Sequence, residues 1–221
     1  MPVGADRRVR GRSAARNHGS GSATRSNQIL TIAASLFVLK GFEGTTMRDI
    51  AAAVGILPGS LYHHFASKEQ LLHEIMRPFI RRAVGLYREI VHRKETPAAT
   101  LRALIDAGLG LSIAEPATHS LLMHQWEFLA RNPDFRYVVR QWRETHDLWS
   151  GVIADGVKSG VFRADLNIHL TTELVLEQIS STVFWSRFKK EEIMPEVVRA
   201  QIDLVMHGVL NAGKRTARAA R

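Results

Sequence analysis

The stretch Gly55-Ile56-Leu57-Pro58-Gly59-Ser60-Leu61-Tyr62-His63-His64-Phe65 decides how this chain is read. It carries no Asp, Glu, Lys or Arg, and it opens with turn formers and closes with rings. Just upstream, Thr46 is a good N-cap for a short helix from Met47 to Val54 that buries Ile50, and Gly55 ends that helix. Pro58 suits the first turn of a second short helix that ends near His64. Two short helices joined by a tight, glycine-containing turn make a helix-turn-helix. In such a unit the second helix enters the major groove of DNA, N-terminal residues toward the base edges. Pro58, Gly59 and Ser60 are small enough for close approach. Leu61 and Phe65 face inward, with His64 expected to pack around Phe65, while Ser60, Tyr62 and His63 are left as hydrogen-bonding groups toward DNA.

Working outward, the chain reads as helix almost throughout. A first helix is expected from Asn27 to Lys40, with Ile29, Ala33, Leu36 and Phe37 on one face and Gly41 closing it. Ser67 caps a long helix, and Gln70 completes a capping box. Leu72, Ile75, Phe79, Ala83, Leu86 and Ile90 follow at helical spacing. Pro78 lies inside this helix, removes one backbone hydrogen bond and is expected to kink it. Thr96-Pro97 opens the next helix, to Glu115, and further helices fit Thr118–Arg131, Pro133–Ser159, Asn167–Phe188 and Pro195–Asn211. No hairpin signal or sustained alternation interrupts them, so the fold class is all-α with about nine helices. A three-helix, N-terminal helix-turn-helix domain precedes a larger C-terminal helical bundle.

Charge divides the chain differently. Of the net +9, residues 1–25 carry +5 and residues 212–221 carry +4, leaving residues 26–211 formally neutral. The expected organisation is a disordered basic arm (1–25), a DNA-binding domain (26–73), a ligand-binding and dimerisation domain (74–211) and a basic tail (212–221). Cationic arms attract phosphates, and they also serve solubility. The absence of cysteine excludes disulfides, thiolate metal sites and a cysteine nucleophile. No run approaches the roughly 18 apolar residues of a membrane span, and the basic N-terminus has no apolar block behind it, so a cytoplasmic protein without membrane contact is expected. The chain has no G-x-S-x-G, Walker loop or dinucleotide fingerprint, so neither an enzyme nor a cofactor is expected. His124 and Glu127 lack a third metal ligand, and His73-Glu74 lacks the second histidine of H-E-x-x-H, so no metal is expected either.

Thr46, Ile50-Ala51, Gly55-Ile56, Gly59-Ser60-Leu61-Tyr62-His63-His64-Phe65, Ser67-Lys68-Glu69 and Leu71, with Ile29, Ala33, Phe37 and Gly41-Phe42 upstream, resemble the signature of the TetR family of bacterial repressors. Two positions depart from it: Val54 stands where alanine is usual, and Leu57 where Ser or Thr usually caps the recognition helix. The resemblance implies that Thr46, Tyr62, His63 and Lys68 touch the DNA backbone and that Leu57, Pro58, Gly59 and Ser60 lie nearest the bases. Phosphates can be held this way by helix N-termini and hydroxyls without net charge. It also implies a homodimer, formed through the last two helices, on a palindromic double-stranded DNA operator. The wording from Gly55 to Glu69 resembles actinobacterial members of the family that control steroid or fatty-acid breakdown, which implies a hydrophobic effector such as an acyl-CoA or steroid-derived thioester.

The larger domain offers material for an effector pocket. Phe135, Trp142 and Trp149 recur every seven residues, with Val139, His146 and Ile153 on the same side. Trp126, Trp142, His146, Trp149 and Gln178 are therefore the candidate ligand residues, with His124 behind them. In the penultimate helix Leu170, Leu174, Gln178, Ser181 and Trp185 form one face and Val175, Ile179 and Thr182 another, which implies two partners. The function expected is a ligand-responsive transcriptional regulator, a repressor released by its effector. The alternative is a non-sequence-specific nucleic-acid-binding protein driven by its arginine-rich arms.

Overall fold

The computed structural model describes residues 18–186 and 194–211. Arg7, Arg8, Arg10, Arg12 and Arg16 of the expected arm, the tail 212–221 and the side chain of Trp185 lie outside the described residues. Ten α-helices account for nearly all of the rest, and among the described residues the only extended pairing is an isolated bridge between Phe162 and Leu210.

The first three helices are α1 (His18–Lys40), α2 (Met47–Val54) and α3 (Pro58–His64). α1 starts nine residues before the expected Asn27. Gly19, Gly21 and the serines beside them are poor helix formers, which is why the sequence places the start later. α2 is fixed at both ends. The Thr46 hydroxyl accepts from Asp49 N at 3.1 Å, and Asp49 Oδ2 accepts from Thr46 N at 2.9 Å, a closed capping box. At the other end Gly55 adopts φ 74°, and Ile56 N reaches back to Ala51 O at 3.0 Å. A side chain at Gly55 would be strained, so this glycine makes the turn between the two short helices.

α4 (Lys68–His92) is the spine of the molecule. Ser67 accepts from Gln70 N at 3.2 Å as expected, but the Gln70 side chain accepts from Ala66 N at 2.6 Å. The reciprocal box is thus displaced by one residue, because the longer glutamine side chain reaches past the cap. The helix runs through Pro78, which is exposed, without a break.

The C-terminal helices are α5 (Pro97–Ala114), α6 (Pro116–His124), α7 (Trp126–Arg131), α8 (Arg136–Lys158), α9 (Ile168–Ser186) and α10 (Met194–Val209). Two boundaries differ from expectation. The single helix expected over Thr118–Arg131 is divided at Gln125 (φ −100°, ψ 10°), where no glycine or proline announces a break. The helix expected from Pro133 begins as a short 3-10 turn, Pro133–Phe135, before α8 takes over.

Two hydrophobic cores result. The first joins Ile29, Phe37, Ile50 and Leu61 to Leu72, Phe79, Ile80 and Val84 of α4, and continues into Leu121, Leu122, Leu129, Phe135 and Val138. The second joins Tyr87 and Ile90 of α4 to α5, Trp149 and Ile153 of α8, Val175 and Ile179 of α9, and Ile202 and Met206 of α10. α4 therefore contributes to both, changing core between Val84 and Tyr87. Close approach in the second core depends on glycine: a methyl group at Gly108 of α5 would lie 3.1 Å from Ile179 Cδ1 and 3.3 Å from the Tyr87 hydroxyl.

Candidate functional site

The outward face of α3 is built by burying one residue. Leu61 is fully buried and Phe65 nearly so, which pins the helix against α2 in the core that α1 also lines. Every other residue from Leu57 to His64 except Leu61 is exposed. Leu57 is 76% exposed and, as its side chain lacks an oxygen, caps α3 without a side-chain hydrogen bond. His64 was expected in the core; it is exposed instead, 6.3 Å from the Phe65 ring, because the helix ends at His64 and the extended Phe65 that follows takes the buried place. A methyl group added at Gly59 would meet no atom within 4 Å, so internal packing does not demand glycine there. Together Leu57, Pro58, Gly59, Ser60, Tyr62 and His63 form a neutral, exposed ridge of small groups flanked by rings.

Thr46 and Lys68, the other residues expected at the DNA backbone, have their side chains already engaged. The Thr46 hydroxyl also donates to Asp49 Oδ2 at 2.5 Å. That bond, the Thr46 N–H and the Lys40 ammonium at 3.0 Å hold the Asp49 carboxyl far below the usual carboxylate range. The Lys68 side chain is only 19% exposed; its ammonium donates to Phe42 O at 2.8 Å and lies 4.5 Å from the centre of the Phe42 ring. A cation at a helix N-terminus opposes the helix dipole. Here a carbonyl and an aromatic face offset that cost, and they tie α4 to the end of α1.

A cavity of about 70 Å³ lies deeper, among α4 to α9. Phe79, Ile80 and Val84 of the first core and Tyr87, Leu176 and Ile179 of the second all wall it, so it sits where the two cores meet. None of its lining residues is Asp, Glu, Lys or Arg. Its polar groups are Tyr87, His119, Gln141, Thr145 and Ser180. Trp126 and Trp142, both expected at the ligand, wall the cavity and pack on each other with ring centres 5.4 Å apart.

The other three candidates do not wall it. Trp149 is fully buried in the second core, edge-on to Tyr87 at 5.4 Å. A repeat of seven residues spans two turns, so Trp149 lies about 10 Å further along α8 than Trp142 and beyond the cavity. His146 faces His169 and Glu173 of α9, and the Gln178 amide approaches Gln201 O of α10 at 3.5 Å. The His124 ring nitrogen meets Ser120, and the Glu127 carboxylate meets Arg131.

His119 is the cavity residue that the sequence hid best. It is 8% exposed, and its Nδ1 lies 2.5 Å from Ser112 Oγ. The Ser112 hydroxyl, with a single proton to donate, also lies 2.9 Å from Gly108 O. With the Ser112 proton on Gly108 O, Nδ1 carries the imidazole proton and Nε2 is the acceptor; with that proton turned to Nδ1, the tautomer reverses. Burial pushes the ring down to about 4, so it is neutral at physiological pH. Burial likewise holds the Tyr87 hydroxyl well above its ordinary range, in its protonated, donating form.

Two of the polar break points in the apolar sequence, Gln141 and Thr145, flank Trp142 and could have been found from the helical spacing of α8. His119 and Tyr87 belong to helices whose local pattern gives no sign of the shared void. Among the described residues no helix is long and apolar enough to cross a membrane.

Comparison with known proteins agrees with this geometry. The family model described as "Bacterial regulatory proteins, tetR family" matches residues 29–75, and "Tetracyclin repressor-like, C-terminal domain" matches residues 94–209. The HTH-type transcriptional repressor KstR2 of Rhodococcus jostii is 36% identical over 190 residues, 86% of this chain and 93% of that protein. The solved ketosteroid transcriptional regulator KstR2 of Mycobacterium tuberculosis superposes with a TM-score of 0.80 at 31% identity, covering 85% of this chain and 95% of that one. AibR, solved with isovaleryl coenzyme A and operator DNA, shares the fold at a TM-score of 0.71 and 22% identity, covering 81% of this chain and 97% of its own. With the second helix of its helix-turn-helix exposed on one core and a neutral cavity between the two, this chain belongs to the TetR family of bacterial transcriptional regulators.

Proposed function

We propose that this protein is a homodimeric repressor that binds a palindromic operator through α3 and is released when a hydrophobic effector enters the cavity between the two cores. The observation that carries the reading is the position of that cavity. Phe79, Ile80 and Val84 link one of its walls to the core that holds α3, while Tyr87, Leu176 and Ile179 link another to the core of α5, α9 and α10. About 70 Å³ is far below the roughly 300–1,000 Å³ of ordinary ligand sites, so an effector must part these walls. Parting them displaces one core relative to the other along α4. An effector that prefers the parted state shifts the population away from DNA; a 100-fold release corresponds to about 2.7 kcal/mol of coupling.

The lining chemistry selects the effector class. A cavity without formal charge takes a neutral, apolar body, and His119 Nε2 and the Tyr87 hydroxyl offer hydrogen-bonding groups to it. The charged part of a coenzyme A thioester would stay outside the lining residues. The names of the KstR2 relatives and the ligand of AibR support a ring-bearing or acyl thioester as the first compounds to try.

Dimerisation is assigned to α9 and α10, within a C-terminal domain spanning residues 74–211. Leu170 and Leu174 of α9 are 54% and 61% exposed and Leu204 of α10 is 69% exposed, while Val175, Ile179 and Ile202 on the same helices are buried. Each helix thus keeps an apolar face beyond the one its own core uses, as a two-fold interface requires. At the DNA, Leu57, Pro58, Gly59 and Ser60 approach the bases, and Thr46, Tyr62, His63 and Lys68 contact or position the backbone.

The test is recovery of bound fragments from genomic DNA at near-physiological salt, followed by challenge with coenzyme A thioesters carrying a steroid-ring fragment or a fatty acyl chain. Enrichment of a palindrome that is lost on addition of one thioester class is the expected result. Recovery that scales only with fragment length would overturn it in favour of a coating protein driven by the basic arms.

A further inference from the structure

His146 is the one polar residue in the ring stripe of α8, and the cavity leaves it unexplained. The structure places it against two residues of α9. His146 Nε2 lies 3.1 Å from His169 Nδ1 and 3.4 Å from Glu173 Oε1, and one ligand-type atom from each of the three falls within 4.8 Å of the others. His169 and Glu173 stand four residues apart, so they share one face of α9. The His146 side chain is 18% exposed and that of Glu173 43%, while His169 is exposed, so the group is reachable from solvent yet backed by protein.

We propose that His146, His169 and Glu173 form a binding site for a divalent transition-metal ion of the zinc class. Four tetrahedral ligands at zinc-to-nitrogen distances of about 2.0–2.1 Å stand about 3.3 Å from one another. The two separations, 3.1 and 3.4 Å, bracket that edge. Two imidazoles and a carboxylate are borderline-to-hard ligands that suit zinc and its neighbours in the first row. Three protein ligands leave a fourth position for water. Without metal, the same atoms are satisfied by a ring N–H shared between the two imidazoles and by contact with the carboxylate, so the apo chain folds with the ligands already gathered. This assignment does not depend on the operator or the effector.

The position gives the ion a mechanical role. Gln141, Trp142 and Thr145 of α8 and Leu176, Ile179 and Ser180 of α9 all wall the cavity. His146 directly follows Thr145, and Glu173 lies one turn before Leu176. A metal ion held by His146 from α8 and by His169 and Glu173 from α9 fastens these two walls together from outside.

The experiment uses the full, untagged chain stripped with a chelator and dialysed against buffer with zinc or cobalt. Metal analysis is expected to give one ion per protomer, and cobalt to give the visible absorption of a four-coordinate site. Zinc should raise the thermal midpoint. His169→Ala removes an exposed side chain and Glu173→Gln keeps the shape of the other, so both variants fold; each should lower zinc affinity at least tenfold, since even outer-shell changes cost about 10–100-fold. His92→Gln, at the exposed end of α4, should change nothing. Less than stoichiometric binding, or binding and thermal shift equal to wild type in both His169→Ala and Glu173→Gln, would overturn the proposal.

Discussion

The α3 ridge and the cavity are both neutral, yet they present neutrality in opposite directions. The ridge turns Leu57, Pro58, Gly59, Ser60, Tyr62 and His63 out to solvent on the support of one buried leucine. The cavity turns rings and a few polar atoms inward from six helices. The difference teaches what each can recognise. An exposed neutral ridge brings no charge of its own, so whatever it meets must be recognised by fit and by hydrogen bonds. A neutral void of this small volume binds through buried area, and it must widen to do so.

The contrast can be broken most severely at its support. Leu61→Ala removes a fully buried side chain under the ridge and should cost about 2–5 kcal/mol of stability, read by urea unfolding, with operator binding lost alongside. The cavity is probed next by acid. His119 is held near 4 against an ordinary 6.5, so between those values the unfolded chain binds a proton that the folded chain refuses. Stability is therefore complete above pH 6.5 and falls as pH drops toward 4, by about 3 kcal/mol from this residue. His119→Asn should flatten that part of the stability-against-pH curve; an unchanged curve would assign the loss to other groups.

Gly59→Ala sharpens the comparison by separating fold from recognition. The added methyl meets nothing within the protein and favours helix, so stability should hold or rise by up to about 1 kcal/mol. Operator affinity, measured by anisotropy, should fall about tenfold if the bases approach this residue, the size of one base-edge contact. Thr46→Ala gives the smallest effect. It opens the capping box of α2 and should cost about 1 kcal/mol, with the Asp49 carboxyl moving back toward its ordinary range, observable by NMR titration.

The two regions also differ in how legible they are. Thr46, Gly55, Pro58 and Ser67 are local signals whose meaning is contained within a few residues, so the chain announces the ends of α2, α3 and the start of α4. The cavity has no such local code. Trp126 and Trp142 were legible as large rings that had to be packed somewhere. Tyr87 and His119 join them only because α4, α5 and α6 meet, with Gly108 and Ser112 allowing the approach. His146 was legible as an interruption, but its cause lies 23 residues away on α9. The break at Gln125 was missed for a related reason. Nothing in its own composition ends a helix, and the chain turns there so that Leu121 and Leu122 on one side and Leu129 on the other can reach the same core.

The contact between Trp126 and Trp142 has a practical consequence. Two indoles with centres 5.4 Å apart on the wall of the void are electronically coupled chromophores whose emission and near-ultraviolet dichroism depend on their separation and on local polarity. A molecule that parts the walls alters both signals at once. Trp149, buried in the second core, stands edge-on to the wall residue Tyr87, so its emission reports the same movement from the other core. Candidate effectors can therefore be titrated against the unlabelled protein by its own light, before any operator sequence is known.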